Sequence, residues 1–363
     1  MDGVILRIAD ITISVRNGDI MNLASKYRPK TFDEVVEQPL VMKIIRAMCE
    51  SSELECRNFL FIGSQGVGKT TTSRIIASEL NEGKGEPIEI DAASHSGVED
   101  VRTIVQQASQ YPVGMKYKVF ILDEVHAFSQ QAWQALLKVL EEQPAKTVMI
   151  MATTNPEKIP ATILSRVQTF QLSKISLDGI FNRLKYVLEA EKSEGRAITY
   201  EEDAVMLVAK LANGGMRDAL TLLDKCLAYS LDVNTDNVIK ALDLPNYDTY
   251  FALLNGLVKK DNKTITDIVN SVYNSGTNFV KWFESFHSFI ANIIKYIYIK
   301  DIGATMIPST YLSKIENYNE QHASLCLKLS NVLLNLNKDL KTTQYLEETA
   351  LTYLLSPVAK KGG

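Results

Sequence analysis

Five short apolar runs, Asn58–Ile62, Pro87–Asp91, Lys118–Asp123, Thr147–Ala152 and Gln168–Leu172, alternate with stretches whose apolar residues recur at helical spacing. Several of the runs are apolar nearly throughout, as expected of strands buried on both faces. Strands that take turns with helices are joined by βαβ crossovers, so this segment is expected to form a mainly parallel five-stranded sheet with flanking helices. Between the third and fourth runs, Ala132, Ala135, Leu136, Val139 and Leu140 fall at i, i+3, i+4, i+7 and i+8, a buried helix stripe. A second helix is expected after Ser96-Gly97-Val98-Glu99, which has capping-box spacing, with Val98, Val101, Val105 and Ala108 on one face.

Beyond Ser173 the strand signal fades. Residues 173–242 read as a small helical unit and 243–363 as a larger one, with apolar-rich stretches such as Phe283–Ile299 and Leu325–Leu336. Residues 1–21 precede the first clear signal and are set apart as an N-terminal extension, and Lys360-Lys361-Gly362-Gly363 reads as a loose end.

Composition narrows the function classes. The chain is 46% hydrophobic and 23% charged, an ordinary globular balance, with a net charge of −4 and a pI near 5.7. It is not a basic nucleic-acid coat, so any nucleic-acid contact must come from a local strip. Cys49, Cys56, Cys226 and Cys326 are scattered without a C-x-x-C pair, which fits free thiols in a reducing compartment. No apolar run reaches membrane-spanning length, and the first 20 residues lack the apolar core of a signal peptide. The cytoplasm is the expected location.

Gly63-Ser64-Gln65-Gly66-Val67-Gly68-Lys69-Thr70 matches G-x-x-x-x-G-K-[ST] in full, directly after the apolar run Phe59–Ile62 and before a helical run from Thr71 to Leu80. Glycines let such a loop wrap phosphates with its backbone N–H groups, and the following helix N-terminus adds positive potential. Lys69 is expected to reach the β- and γ-phosphates, and the Thr70 hydroxyl to ligate Mg²⁺. The third run ends in Asp123-Glu124, 54 positions beyond Lys69. Ligands of open α/β sheets sit at the carboxyl ends of the strands. Asp123 there can hold Mg²⁺ through water, and Glu124 can orient and deprotonate an attacking water. His126 follows closely, but a lone histidine is more often a hydrogen-bonding residue at a helix start than a catalyst.

Three weaker signals lie downstream. Thr153-Thr154-Asn155 ends the fourth run and can supply a hydroxyl or amide to the γ-phosphate or the water; alone it reads as turn chemistry before Pro156. Ser165-Arg166 precedes the fifth run, where an arginine can neutralise charge in phosphoryl transfer or simply form a surface salt bridge. Gly214-Gly215-Met216-Arg217-Asp218 opens a helix whose arginine can reach phosphates or pair with a neighbouring carboxylate.

Read together, the motifs are more specific. Tyr27-Arg28-Pro29-Lys30-Thr31-Phe32, Glu89-Ile90-Asp91-Ala92-Ala93-Ser94, Asp123-Glu124-Val125-His126, Leu136-Leu137-Lys138-Val139-Leu140-Glu141-Glu142, Ala152-Thr153-Thr154, Ser165-Arg166 and Gly215-Met216-Arg217-Asp218-Ala219-Leu220 appear in order. The chain resembles the gamma/tau family of bacterial DNA polymerase III, AAA+ ATPases of the sliding-clamp loader, densely from about 22 to 225 and thinly beyond. The resemblance implies a P-loop AAA+ domain over 22–172, a helical lid over 173–242 and a helical collar over 243–363 that holds subunits together. It implies ATP and Mg²⁺ as ligands, with Gly63, Ser64, Gln65, Gly66, Val67, Gly68, Lys69, Thr70, Thr71 and Arg217 around the nucleotide. Segment 26–38 would cover the adenine. Thr154 looks like the first sensor, although Asn155 has the side chain many AAA+ proteins use there. Arg166 looks like an arginine finger acting on a neighbour's ATP, and Arg217 like the second sensor. The implied partners are other clamp-loader subunits in a ring, expected to be pentameric, the sliding clamp and primer–template DNA.

Departures qualify the match. The family's four-cysteine zinc module has no counterpart in the short interval Ala77–Glu86, so no zinc is expected. Val167 replaces the cysteine of the usual Ser-Arg-Cys, Glu37 stands where glycine is usual, and a tau-type C-terminal extension is not seen. For DNA, Arg102 near a helix start and Lys138, off the apolar stripe beside Gln131 and Gln134, suit phosphate contacts. The alternatives are another AAA+ DNA motor, such as a branch-migration helicase, which should end in a winged helix, and a non-catalytic clamp-loader scaffold, against which intact Lys69, Thr70, Asp123 and Glu124 argue.

Overall fold

The computed structural model describes residues 22–51, 57–244 and 246–355, together with the backbone of 5–8 and 11–14. The expectations for Cys56, for the rest of residues 1–21 and for 360–363 fall outside the described residues. Strand β1 (Ile5–Ile8) pairs antiparallel with β2 (Ile11–Ser14). The chain divides into two compact units, one of residues 1–194 with 212–224, the other of 195–211 with 225–363.

The first unit is built on β3 (Asn58–Ile62), β4 (Ile88–Asp91), β5 (Lys118–Asp123), β6 (Thr147–Thr153) and β7 (Gln168–Gln171). They form one sheet in the order β4-β5-β6-β3-β7, with every pairing parallel. The expected alternation and five-stranded parallel sheet are therefore present. The second strand starts at Ile88 rather than Pro87, because proline has no N–H to give to a ladder.

Period-two alternation sends successive side chains to opposite faces. Phe59, Phe61, Val119, Ile121, Val148 and Ile150 meet Ile75 and Ile76 of α3 (Lys69–Leu80), with Met42 and Ile45 of α2 (Pro39–Cys49) beyond. Leu60, Phe120, Leu122, Met149 and Met151 meet Val101 and Ile104 of α4 (Val98–Ala108) and Leu136 and Leu140 of α5 (Gln130–Glu142). Leu60 is 0% exposed, so truncation to alanine costs roughly 2–5 kcal/mol.

Two local expectations are corrected. α4 is capped at Gly97, and Asp100 rather than Glu99 reaches back to the Gly97 N–H, at 3.2 Å. Glycine has no side chain, so only that half of a capping box exists. Ile104, 2% exposed, replaces Val105 at the centre of the buried face, since it stands three residues after Val101 and four before Ala108, on their side of the helix. α5 starts where expected: Ser129 accepts the Ala132 N–H at 3.2 Å.

The first unit also includes the short α1 (Leu23–Lys26), the single turn α6 (Ala161–Leu164), α7 (Leu177–Ser193) and the first part of α9 (Met216–Tyr229). The second unit is helical apart from a two-residue parallel bridge between β8 (Thr199–Tyr200) and β9 (Asp232–Val233). It holds α8 (Glu202–Leu211), α10 (Thr235–Ala241), α11 (Tyr247–Lys259), α12 (Asn262–Asn274), α13 (Phe279–Ile299), α14 (Leu312–Ile315), α15 (Glu320–Asp339) and α16 (Leu346–Leu355). Its core is aromatic: Tyr250, Phe283, Phe286 and Phe289 are essentially inaccessible, and Trp282 stacks on Phe286 with centroids 5.7 Å apart. Among the described residues no helix is long and apolar enough to cross a membrane.

Candidate active site

The phosphate-type loop leaves β3 after Ile62 and enters α3 at Lys69. Gly68 has φ +107°, a conformation that costs any residue with a Cβ. Gly63 is required by proximity: a Cβ there would lie 2.6 Å from the Leu172 carbonyl oxygen. Lys69 is only 6% exposed, and its ammonium donates to the carbonyls of Gly63 at 2.9 Å and Ser64 at 3.0 Å. Burial pulls its pKa below the ordinary lysine value, opposed by the nearby Glu124 and Asp123 carboxylates.

Because β5, β6 and β3 are adjacent and parallel, their carboxyl ends bring Asp123, Thr153-Thr154 and the loop to one edge. The Thr70 hydroxyl donates to Asp123 Oδ2 at 2.6 Å. Asp123 Oδ1 accepts the Glu124 N–H at 2.9 Å. Glu124 stands in the left-handed region at φ 49°, ψ 40°, a strained position for a residue with a side chain. Its Oε2 accepts the Thr154 hydroxyl at 3.1 Å and lies 3.2 Å from His126 Nδ1. Of the two first-sensor alternatives, Thr154 is the one whose side chain meets Glu124. The Asn155 backbone N–H donates to Thr153 Oγ1 at 3.0 Å.

α9 abuts the loop from the other side, with the Met216 N–H donating to the Gly66 carbonyl at 3.0 Å. A Cβ on Gly66, whose φ is +75°, would lie 3.1 Å from Gly215 Cα, so glycine at both positions permits the approach. Arg217 thereby lines the same cleft, of about 590 Å³, as Lys69, Thr70, Thr71, Asp123 and Glu124. Tyr27 and Arg183 also line the cleft: Tyr27 donates its hydroxyl to the buried Glu191 at 2.8 Å, and Arg183 donates to the Tyr27 carbonyl at 3.1 Å. Desolvation and the Glu191 contact push the Tyr27 phenol up to about 12.

Other candidates stand apart from this cluster. Arg166 is not on the cleft; it pairs with Glu141 at 2.7 Å and donates to the Thr162 carbonyl at 2.7 Å. Arg102 and Lys138 are exposed, Arg102 paired with Glu99 and Lys138 lying 3.9 Å from Glu142. Residues that sequence reasoning passed over are Arg183 and Arg74, which line the cleft, Arg74 donating through Nε at 2.6 Å to Oε1 of Glu89, a residue of the Glu89–Ser94 motif. Both arginines sit in helix interiors, which give no motif for them. His126 was set aside as a helix-start residue, and its position beside Glu124 is visible only once the chain is folded.

The donor set fits a magnesium ion held together with phosphates: one hydroxyl and one carboxylate, Thr70 and Asp123, already face each other. Among the described residues no three histidine, cysteine, aspartate or glutamate side chains gather in a way that would hold a metal on their own.

Comparison with known proteins gives the lineage. A family model for the DNA polymerase III delta subunit matches residues 86–176, and one for the ATPase lid domain of a DNA polymerase III clamp loader subunit matches 179–232. DNA polymerase III subunit gamma from Buchnera aphidicola of Acyrthosiphon pisum is 30% identical over 349 residues, covering 88% of this chain and 93% of that one. The chain belongs to the gamma/tau family of DNA polymerase III.

Another gamma subunit, from Buchnera aphidicola of Schizaphis graminum, is 36% identical, covering 70% of this chain and 74% of that one. The gamma/tau subunit of Mycoplasma genitalium is 31% identical over 84% of this chain, which spans about half of that relative's length, 54%. Among solved structures, the Thermotoga maritima RuvB Holliday junction branch migration motor matches at 21% identity and a TM-score of 0.49, over 64% of this chain and 79% of that one. That likeness is too slight to bear on what this gamma/tau chain does.

Proposed function

We propose that this gamma/tau chain binds and hydrolyses ATP with Mg²⁺ as a subunit of a sliding-clamp loader. The observation that carries the reading is the continuous contact Thr70–Asp123–Glu124–Thr154 at the mouth of the glycine loop. In it a hydroxyl and a carboxylate suited to a cation adjoin a second carboxylate suited to a water. The backbone of Gly63–Thr71 and the start of α3 bind the phosphates through N–H groups and helix dipole. Lys69 shifts from the loop carbonyls to the β- and γ-phosphates, its burial strengthening that contact. Thr70, and Asp123 through water, would hold Mg²⁺, which would supply charge neutralisation on the phosphates. Glu124 orients and deprotonates the attacking water, and Thr154 fixes the Glu124 carboxylate. Arg217 reaches the nucleotide from α9.

In the same reading residues 22–172 form the ATPase domain, 173–242 the lid and 243–363 the collar that joins subunits of a pentameric ring. Arg166, off its own cleft, serves the ATP of a neighbour. Arg102 and Lys138 track primer–template DNA, and the assembly places the clamp on it, in the cytoplasm. No zinc takes part in this reading.

Nucleotide binding and single-turnover hydrolysis, measured separately, test the assignment. Lys69→Ala is expected to weaken ATP binding tenfold or more, on the order of 1.4 kcal/mol, because it removes a ground-state contact. Glu124→Gln is expected to bind ATP normally and fail to turn it over. Equal loss of binding in both variants contradicts the roles.

A further inference from the structure

We propose that His126 is a positioning residue for Glu124, holding one of its two carboxylate oxygens so that the other faces the reacting water; this rests on the reading of Glu124 as the general base. His126 sits on the 3₁₀ turn Val125–Ala127 that directly follows Glu124. The turn is closed by the Ala127 N–H donating to the Glu124 carbonyl at 2.9 Å. Its imidazole Nδ1 is 3.2 Å from Glu124 Oε2 and 3.2 Å from Thr153 Oγ1. Thr153 is wholly buried, and its hydroxyl oxygen also accepts the Asn155 N–H at 3.0 Å. The ring is therefore placed by the end of β6, not by solvent.

Nδ1 hydrogen-bonds with the Thr153 hydroxyl, which can donate or accept, so the adjacent Glu124 carboxylate is what favours one tautomer. An ionised carboxylate only accepts, so a 3.2 Å contact is favourable when Nδ1 bears the hydrogen. The other neutral tautomer would set a nitrogen lone pair against the carboxylate. The Thr154 hydroxyl donates to Oε2 and the imidazole lies 3.2 Å from the same oxygen, while Oε1 accepts no hydrogen bond from the described residues. The left-handed backbone of Glu124 needs such restraint. At φ 49° the side chain departs along a direction few residues adopt, and the Thr154 hydroxyl with the imidazole against the same oxygen stops it swinging away. Thr154 holds the carboxylate from the strand end, His126 from the turn.

The test is single-turnover hydrolysis by the full chain, with nucleotide affinity as a control for folding. His126→Ala is expected to slow turnover about 10- to 100-fold, the penalty of a base misplaced by a fraction of an ångström to an ångström, with affinity nearly unchanged. His126→Asn carries an N–H donor close to the position of Nδ1 and is expected to recover most of the rate. In a Glu124→Gln background, His126→Ala is expected to add almost nothing, because the residue acts only through that carboxylate. Wild-type turnover in His126→Ala, no recovery in His126→Asn, or an undiminished loss on top of Glu124→Gln would each overturn the proposal. Normal turnover in Glu124→Gln alone would overturn the base assignment itself and the proposal with it. Loss of turnover in Glu124→Gln beside normal turnover in His126→Ala would overturn only the proposal.

Discussion

Glu37 reaches across 139 positions of sequence to the start of α7, where its Oε2 accepts the Ser176 N–H at 2.9 Å. Its other oxygen takes the Ser176 hydroxyl, and Ser176 Oγ accepts the Gly179 N–H at 3.0 Å as the helix cap. Gln38 adds a two-way link, donating to the Ser173 carbonyl at 2.7 Å and accepting the Ser173 N–H at 3.2 Å. Glu37 and Gln38 both have positive φ, 60° and 64°. A carboxylate thus stands where the resemblance leads one to expect glycine, and it is tied to the helix that follows the sheet.

This arrangement orders two variants. Glu37→Ala loses the bonds to Ser176 and keeps the backbone penalty; Glu37→Gly loses the bonds and sheds the penalty. Glu37→Gly is expected to be more stable than Glu37→Ala by about 1 kcal/mol, the cost of left-handed backbone with a Cβ. Amide exchange at Ser176 should quicken in both. Denaturant unfolding checks the order, and equal stability of the two variants would show that no strain is held at Glu37.

The lowered pKa of Lys69 gives nucleotide binding an alkaline limit. Phosphate favours the ammonium, so ATP binding should be accompanied by proton uptake wherever free Lys69 is partly neutral. Affinity is expected to fall as pH rises, beginning below the ordinary lysine range of about 10.4. Lys69→Arg, which stays charged, should bind more weakly but show no such fall. Calorimetry in buffers of different ionisation enthalpy reads the proton directly, and a flat wild-type profile up to that range would remove the effect of burial.

The Arg166 assignment requires a neighbour. Arg166→Ala is expected to bind ATP and lose hydrolysis by roughly 10³–10⁵, the value of an arginine supplied in trans. Mixing it with Glu124→Gln subunits should restore turnover. A Glu124→Gln subunit donates Arg166 to the intact base of an Arg166→Ala neighbour. Crosslinking must first show adjacent copies; with adjacency shown, an inactive mixture removes Arg166 from the neighbour's site.

Arg102 and Lys138 are paired only with exposed carboxylates, contacts worth about 0–1 kcal/mol that DNA phosphates can displace. Removing both charges is expected to weaken DNA-stimulated hydrolysis and lower the salt slope by about one unit per lost contact. ATP binding without DNA should not change. An unaltered salt slope would take both residues off the DNA path.

Sequence alone determined the sheet, the loop and the two carboxylates. Periodicity is local: the run Val119–Leu122 is apolar throughout because both faces are covered, and the bonds of a glycine turn lie within a few residues. Tertiary structure decided what meets at the strand ends. The pairing of β5 with β6 sets Thr154 and His126 on one oxygen of Glu124. Glu37 finds Ser176 only because the chain between them folds back on itself. Such contacts depend on pairing order and on backbone angles of single residues, Glu37 and Glu124 among them. Those angles are fixed by the sum of distant contacts rather than by the preference of the residue that adopts them.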